Sequence, residues 1–259
     1  MIDCVNIATA HCFPGNLIAA QHRLRYQEVI AKEDWSNIYV ADEMEFDRYD
    51  NIAAEYFISR NAEGEVLGVC RSYPTTIPYM LADVFPFLCP QDLPSSHKVL
   101  EASRMVLDRS LLTKEARRPV VDELIVAYME RGIERNIDAY VGFMLPRIWA
   151  STFLRAGWEV EWLGPETALP GTADIVRAAR MPVNARMNAK VREATGLRKP
   201  VLNYGSEFFA PSVVSYSQDS FVVSALRATG PQKRRADSRR PGSRAAIGPR
   251  GRGEDKIAA

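Results

Sequence analysis

Val99-Leu100-Glu101-Ala102-Ser103-Arg104-Met105-Val106-Leu107 is the stretch on which the fold turns. It reads as a strand with Glu101, Ser103 and Met105 on one side. Upstream, Glu55-Tyr56-Phe57-Ile58-Ser59 and Glu65-Val66-Leu67-Gly68-Val69-Cys70-Arg71 read as two further strands, joined by the turn Asn61-Ala62-Glu63-Gly64. Downstream the period changes. Pro119 to Arg135 carries Val120, Val121, Leu124, Ala127, Tyr128 and Ile133 as an apolar helical stripe, and Ile137 to Leu145 then reads as a buried strand. Strands come first in a hairpin and then in strand-helix-strand alternation, which predicts the α/β class, a mixed sheet flanked by helices.

Further outward the alternation continues. Asn16 to Lys32 has Leu17, Ala20, Leu24 and Val29 at helical spacing behind Pro14-Gly15-Asn16, and predicts a helix carrying Arg25. A loop with Pro74, Pro78, Pro86, Pro90 and Pro94 separates the hairpin from the Glu101 strand. Pro146 opens a helix with Ile148, Trp149, Phe153 and Leu154 behind it, and Gly157 stops it. Strands at Trp158 to Leu163 and Thr172 to Met181 and a short helix at Asn184 to Thr195 follow.

With 259 residues, 47% of them hydrophobic, the chain can bury a sizeable core. No run reaches the roughly 18 apolar residues that cross a bilayer. Met1-Ile2-Asp3-Cys4-Val5-Asn6 has neither the basic nor the apolar region of a signal peptide, so a cytoplasmic protein with no membrane association is expected. Cys4, Cys12, Cys70 and Cys89 form no Cys-x-x-Cys pair, and His11, His22 and His97 no ligand spacing, which predicts free thiols and no metal. The net charge of +1 hides an asymmetry: Pro231 to Ala259 holds nine Lys or Arg against three acids, leaving −5 on the other 230 residues. That segment is rich in Pro, Gly, Ser and Ala and short of apolar anchors. The expected organisation is one domain over 1–228 and a basic, disordered tail over 229–259, with a solvated extension and an arm for a polyanion both open as its role.

Arg25, Arg71 and Arg104, the carboxylates Asp47, Asp50 and Glu101, and Trp35 sit mostly in segments that otherwise read as apolar and ordered. A structural protein has little reason to collect such a set, because each buried ion must be paired and hydrogen-bonded or it destabilises the fold. Singly these residues have ordinary readings: a solvated loop for Asp47 and Asp50, a surface arginine for Arg25, core packing for Trp35. Glu101 differs, since a Glu inside an apolar strand is hard to place against solvent. A structural ion pair with Arg104 is the alternative, although residues three apart on a strand face opposite sides.

Taken in order, the set resembles a known family. Leu24-Arg25, Trp35 ten residues on, Glu45-x-Asp47-x-x-Asp50, Arg71 in a strand after Gly68, and Glu101-x-Ser103-Arg104 look like the acyl-homoserine lactone synthases, the autoinducer synthases of bacterial quorum sensing. The likeness spans roughly residues 20–110, and Gly157-Trp158 extends it to about residue 200. Two departures are visible. Val29 stands where the family usually has Phe, and Val141-Gly142-Phe143-Met144-Leu145 lacks a threonine found in many members that take 3-oxo chains, which leans toward an unsubstituted acyl chain.

The resemblance implies a three-layer αβα sandwich with a mixed, splayed sheet similar to GNAT-type N-acyltransferases. It implies a reaction between S-adenosylmethionine, a substrate rather than a cofactor, and an acyl thioester, with acyl-carrier protein favoured over acyl-coenzyme A. Under it, Glu101 is the base, Arg71 and Arg104 clamp the substrate carboxylate or satisfy the site acids, and Asp47 and Asp50 offset the substrate's cations. Arg25 and Trp35 belong to the same substrate site. Ser103 faces the acyl carbonyl, and Val29, Phe85, Phe143, Met144, Trp149 and Phe153 are the acyl-binding set, with ordinary core an equal reading for the last five. Arg147 and Arg155, eight apart on one helix with Arg117 and Arg118 nearby in sequence, are the expected landing patch for an acidic carrier protein.

Two other readings compete. A plain GNAT-type N-acyltransferase would carry an Arg/Gln-x-x-Gly-x-Gly/Ala turn for the coenzyme A pyrophosphate, and Leu107-Asp108-Arg109-Ser110-Leu111-Leu112-Thr113-Lys114 has no glycine. A nucleic-acid-binding protein is pointed to only by the tail, and the −5 body argues against specific nucleic-acid binding.

Overall fold

The computed structural model describes residues 1–31 and 39–205. In chain order the elements are β1 (Ile2–Val5), α1 (Leu17–Arg25), the hairpin of β2 (Tyr39–Ala41) and β3 (Met44–Phe46), β4 (Glu55–Arg60), β5 (Val66–Pro74), α2 (Met80–Asp83) and β6 (Val99–Leu107). Then come α3 (Lys114–Glu134), β7 (Ala139–Met144), α4 (Pro146–Trp149), β8 (Glu161–Trp162), β9 (Thr167–Ala168), β10 (Ile175–Pro182), α5 (Ala185–Thr195) and β11 (Leu202–Asn203). One mixed sheet runs β11-β1-β4-β5-β6-β7-β10-β8, with β9 beside β10. The β1–β11 and β6–β7 pairs are parallel and the rest antiparallel, the mixed sheet that the hairpin and crossover patterns predict.

Caps fix the helices near their expected places. Asn16 accepts from Ala19 N at the start of α1, Asn184 from Met187 N at the start of α5, and Gly196, at φ +74°, ends α5. α1 continues into a π-helical turn, Tyr26–Ile30, and α4 into another, Ala150–Leu154. α3 starts five residues before the expected Pro119, because Thr113 caps it and Lys114 to Arg118 are good helix formers; Pro119 sits in its second turn. The strands expected at 158–163 and 172–181 shorten to Glu161–Trp162 and Ile175–Pro182. The hairpin strand at Glu55 is not the first: β1 pairs with it, a four-residue segment too short to show a period.

Alternation along the strands sorts the interior into two faces. On one, Cys4, Phe57, Cys70 and Leu100 meet α3 and α5 in a core with Leu124, Tyr128, Trp149, Phe153 and Trp158. On the other, Val5, Tyr56, Ile58 and Val69 pack under Leu17 and Leu24 of α1, while Tyr49, Tyr73, Leu81, Val99 and Val141 form a separate apolar group. The four cysteines are free. Among the described residues no helix is long and apolar enough to cross a membrane.

Candidate functional site

Between the two apolar groups of the α1 face, α1, the loop after β3, β5 and β6 deliver a block of charge. Arg25 is fully buried and reaches Glu45 and Asp50, with Nη1 and Nη2 each 2.8 Å from an Asp50 oxygen. Arg71, also fully buried, holds Asp47 in a fork at 2.7 and 2.9 Å, Asp50 at 2.6 Å and the Ser103 hydroxyl at 3.2 Å. Arg104 bonds Glu45 at 3.2 and 3.0 Å and Asp47 at 2.7 Å. Burial alone would raise the Asp50 carboxyl, but hydrogen bonds from Arg25 and the charge of Arg71 outweigh it and hold it far below the usual carboxylate range. The loop acids are therefore not a solvated pair.

Arg104 reaches this block through a break in the strand. β5 and β6 pair in the register Arg71↔Ser103 but Val69↔Val106, so β6 carries an extra residue there, and Arg104 sits at φ +53°. The bulge inverts the alternation. Arg104 turns to the face shared by Glu101 and Ser103, and Met105, expected beside Ser103, packs instead into the α3 core. The rule that residues three apart point oppositely fails for this local reason.

Glu101 stands apart from the block. Its Oε1 accepts from Leu81 N at 2.7 Å and its Oε2 from Met80 N at 3.0 Å and from the Tyr73 hydroxyl; among the described residues it has no guanidinium partner. Burial pushes its carboxyl up to about 7, against the opposing pull of the Leu81 and Met80 amides and of Arg71. Three guanidiniums thus meet three carboxylates, Glu45, Asp47 and Asp50, and Glu101 is the fourth acid, poised to change charge near neutral pH.

The arginines are not equivalent. Every nitrogen of Arg25 and Arg71 is engaged inside the block. Arg104 is 12% exposed beside Asp47 at 14%, and its Nη1 has no partner among the described residues. Sequence reasoning left out Glu45, fully buried between Arg25 and Arg104, and Tyr73. The Glu45-x-Asp47-x-x-Asp50 spacing was the available signal for the first; Tyr73 had none. Trp35 lies outside the described residues, as does the expected domain boundary at 228.

The apolar candidates divide. Phe85 and Phe143 touch at 4.6 Å between centroids and pack in the group that holds Tyr73, on the Glu101 face. Trp149 and Phe153, with Met144 against them, belong to the α3 core. Val29 is half-buried in the π-helical turn after Arg25. The parallel pairing of β6 with β7 ends at Glu101↔Val141, Gly142 still lies close against the Ala102 carbonyl, and beyond it the two strands run on without pairing to each other, between the two sets. Arg147 is exposed, whereas Arg155 is turned onto Asp122, which leaves it a poor member of a landing patch. Asp108 Oδ1 accepts from Ser110 N at 2.7 Å, Leu111 N at 2.8 Å and the Ser110 hydroxyl at 2.6 Å.

Comparison with known proteins bears on the family and the fold. The sequence model of the autoinducer synthases matches residues 15–191. An acyl-homoserine-lactone synthase of Pseudomonas aeruginosa is 28% identical over 193 residues, 73% of this chain and 92% of that protein. Among solved structures, TofI, in a ternary complex with an inhibitor and MTA, is 27% identical at a TM-score of 0.58, covering 73% of this chain and 94% of its own. The CoA-dependent acyl-homoserine lactone synthase BjaI, with SAM and isopentyl-CoA, shares the fold at a TM-score of 0.69 and 23% identity, over 78% of this chain and 92% of its own.

Proposed function

This chain belongs to the autoinducer synthase family and is an acyl-homoserine-lactone synthase, an acyltransferase, and from that premise we propose that it acylates S-adenosylmethionine from an acyl-carrier-protein thioester with Glu101 as the base. The observation that carries this reading is the Glu101 carboxyl, which is buried, has no guanidinium partner among the described residues and is raised to about 7. A base whose pKa lies near the working pH contributes roughly 10² to 10⁴ in rate.

Two bonds form in turn. Ionised Glu101 takes one proton from the substrate ammonium, the neutral amine so formed attacks the thioester carbonyl, and the carbon–sulfur bond breaks as a second nitrogen proton passes to the leaving sulfur, which releases the carrier thiol. A carboxylate oxygen of the acylated substrate then displaces sulfur from the γ-carbon, closing the lactone and releasing 5′-methylthioadenosine. S-adenosylmethionine carries a sulfonium, an ammonium and a carboxylate, a net +1. The block of three guanidiniums and three carboxylates is balanced, so ionised Glu101 gives the site the complementary −1. Asp47, the most exposed of the three paired acids, faces the substrate cations, and the unengaged Nη1 of Arg104 holds its carboxylate for in-line closure. Arg25 and Arg71 keep the acids in place. The Ser103 oxygen accepts from Arg71 Nε, so its own proton is free for the thioester carbonyl. The acyl chain leaves between β6 and β7, beyond the end of their pairing and past Phe143 and Met144.

A carrier protein is favoured over coenzyme A by the turn after β6. The amides that cradle a pyrophosphate in related folds are here occupied by the chain's own Asp108, and the turn has no glycine. Mass spectrometry of an organic extract from cells expressing the chain tests the reading: a homoserine-lactone fragment is expected, and its parent mass gives the acyl group. Glu101→Gln should lose most of that product while still binding S-adenosylmethionine; retained turnover would remove Glu101 from the base role.

A further inference from the structure

Tyr73 has no part in the family motif, yet it lies directly across the ladder from Glu101 and is 1% exposed. Its hydroxyl donates to Glu101 Oε2. The ring has two close neighbours: Tyr49 stacks on it at 5.6 Å between centroids and 5° between planes, and the Arg71 guanidinium lies 5.1 Å from its centre. A carboxylate offers about four acceptor positions. Tyr73 and Met80 N take both on Oε2, and Leu81 N takes one on Oε1, so the position left is on Oε1.

Building on Glu101 as the base, we propose that Tyr73 is a positioning residue of the acyl-transfer step, which saturates Oε2 and directs the amine proton to Oε1. The remaining groups that face Glu101 are Arg71 on β5, Asp47 in the loop before β4 and the Met80 and Leu81 amides of α2; β7 presents Val141. Burial raises the carboxyl, and the amides and Arg71 lower it. Tyr73 is the donor in this set that can be removed without touching the backbone or the ionic block. A hydrogen bond to the charged form favours that form, so its loss moves the Glu101 pKa upward.

Tyr73→Phe deletes one oxygen and keeps the stacked ring. In this variant the Glu101 carboxyl, followed by difference infrared spectroscopy with Glu101→Gln as the blank, should titrate about one pH unit higher than in the unmodified protein. Release of 5′-methylthioadenosine is measured with S-adenosylmethionine and whichever saturated acyl-coenzyme A or acyl-carrier-protein thioester the unmodified enzyme turns over. For a base moved from about 7 to about 8 it falls about fivefold at pH 7 and recovers at pH 9, with KM for S-adenosylmethionine within about twofold. An unshifted carboxyl titration overturns the proposal. A uniform loss at every pH with a raised KM overturns it too, since that marks a merely structural tyrosine. A shifted titration with an unmoved pH–rate profile overturns it by a different route, because Glu101 is then coupled to Tyr73 but is not the base.

Discussion

Glu45 is the acid whose removal should be felt most. It is fully buried, accepts from Arg25 on one oxygen and from Arg104 Nε and Nη2 on the other, and its loss leaves three guanidiniums facing two carboxylates. Glu45→Gln keeps the volume but turns an amide donor toward a guanidinium donor. Deleting one partner of a buried ion pair costs about 3 to 5 kcal/mol, against about 1 kcal/mol or less for an exposed pair. With a urea m-value of about 2 to 3 kcal/mol/M for a domain of this size, the unfolding midpoint should drop by about 1.5 M. Equilibrium unfolding at pH 7.5, followed by tryptophan fluorescence and far-ultraviolet circular dichroism, reads this directly. A drop below about 0.5 M would refute the reasoning, because it would put Glu45 in the class of solvated pairs. The same variant should also weaken S-adenosylmethionine binding, since the site loses one negative charge and Arg104 loses the acid that orients it.

Opposite signs are expected for two other acids as pH changes. Glu55 is buried, which raises its carboxyl, but Arg131 outweighs this and holds it at about 2, down from 4.5, so its stabilisation is full above pH 4.5 and is lost as pH falls toward 2. The stability gap between the unmodified protein and Glu55→Gln should narrow by about 2 kcal/mol between pH 6 and pH 3, and parallel urea midpoints would contradict the ion pair. Glu101 is raised from 4.5 to about 7, so the fold favours its protonated form and loses stability as pH rises from 4.5 through 7. Relative to the unmodified protein, Glu101→Gln should gain about 3 kcal/mol between pH 4.5 and pH 8, even as lactone synthesis fails; a constant difference would mean that folding does not raise the Glu101 carboxyl. Arg147→Glu should raise KM for an acyl-carrier-protein donor and leave turnover of a small acyl thioester unchanged. An unaltered carrier-protein KM would move the landing surface elsewhere.

Charges embedded in apolar runs were legible in the sequence because a buried ion leaves few alternatives. Arg25, Arg71 and Glu101 sit in such runs and are all buried. Glu45 was harder to separate from its surroundings, since six of the nine residues from Asp42 to Asp50 are charged and only the fold distinguishes a buried one. Tyr73 could not be found locally: its role exists only through the register that sets it opposite Glu101, 28 residues away. The short strands β1 and β11 escaped for a related reason, because two to four residues hold no period and are defined by their partners. The bulge at Arg104 is the deepest case. Nothing in Ala102-Ser103-Arg104 marks a non-glycine residue at positive φ, a conformation that costs of order 1 kcal/mol or more and persists only where surroundings over-determine it. Those surroundings are Glu45 and Asp47, which hold the guanidinium that the bulge brings to them. Strand geometry and ionic block therefore depend on each other, and neither can be read from a stretch of sequence that contains only one of them.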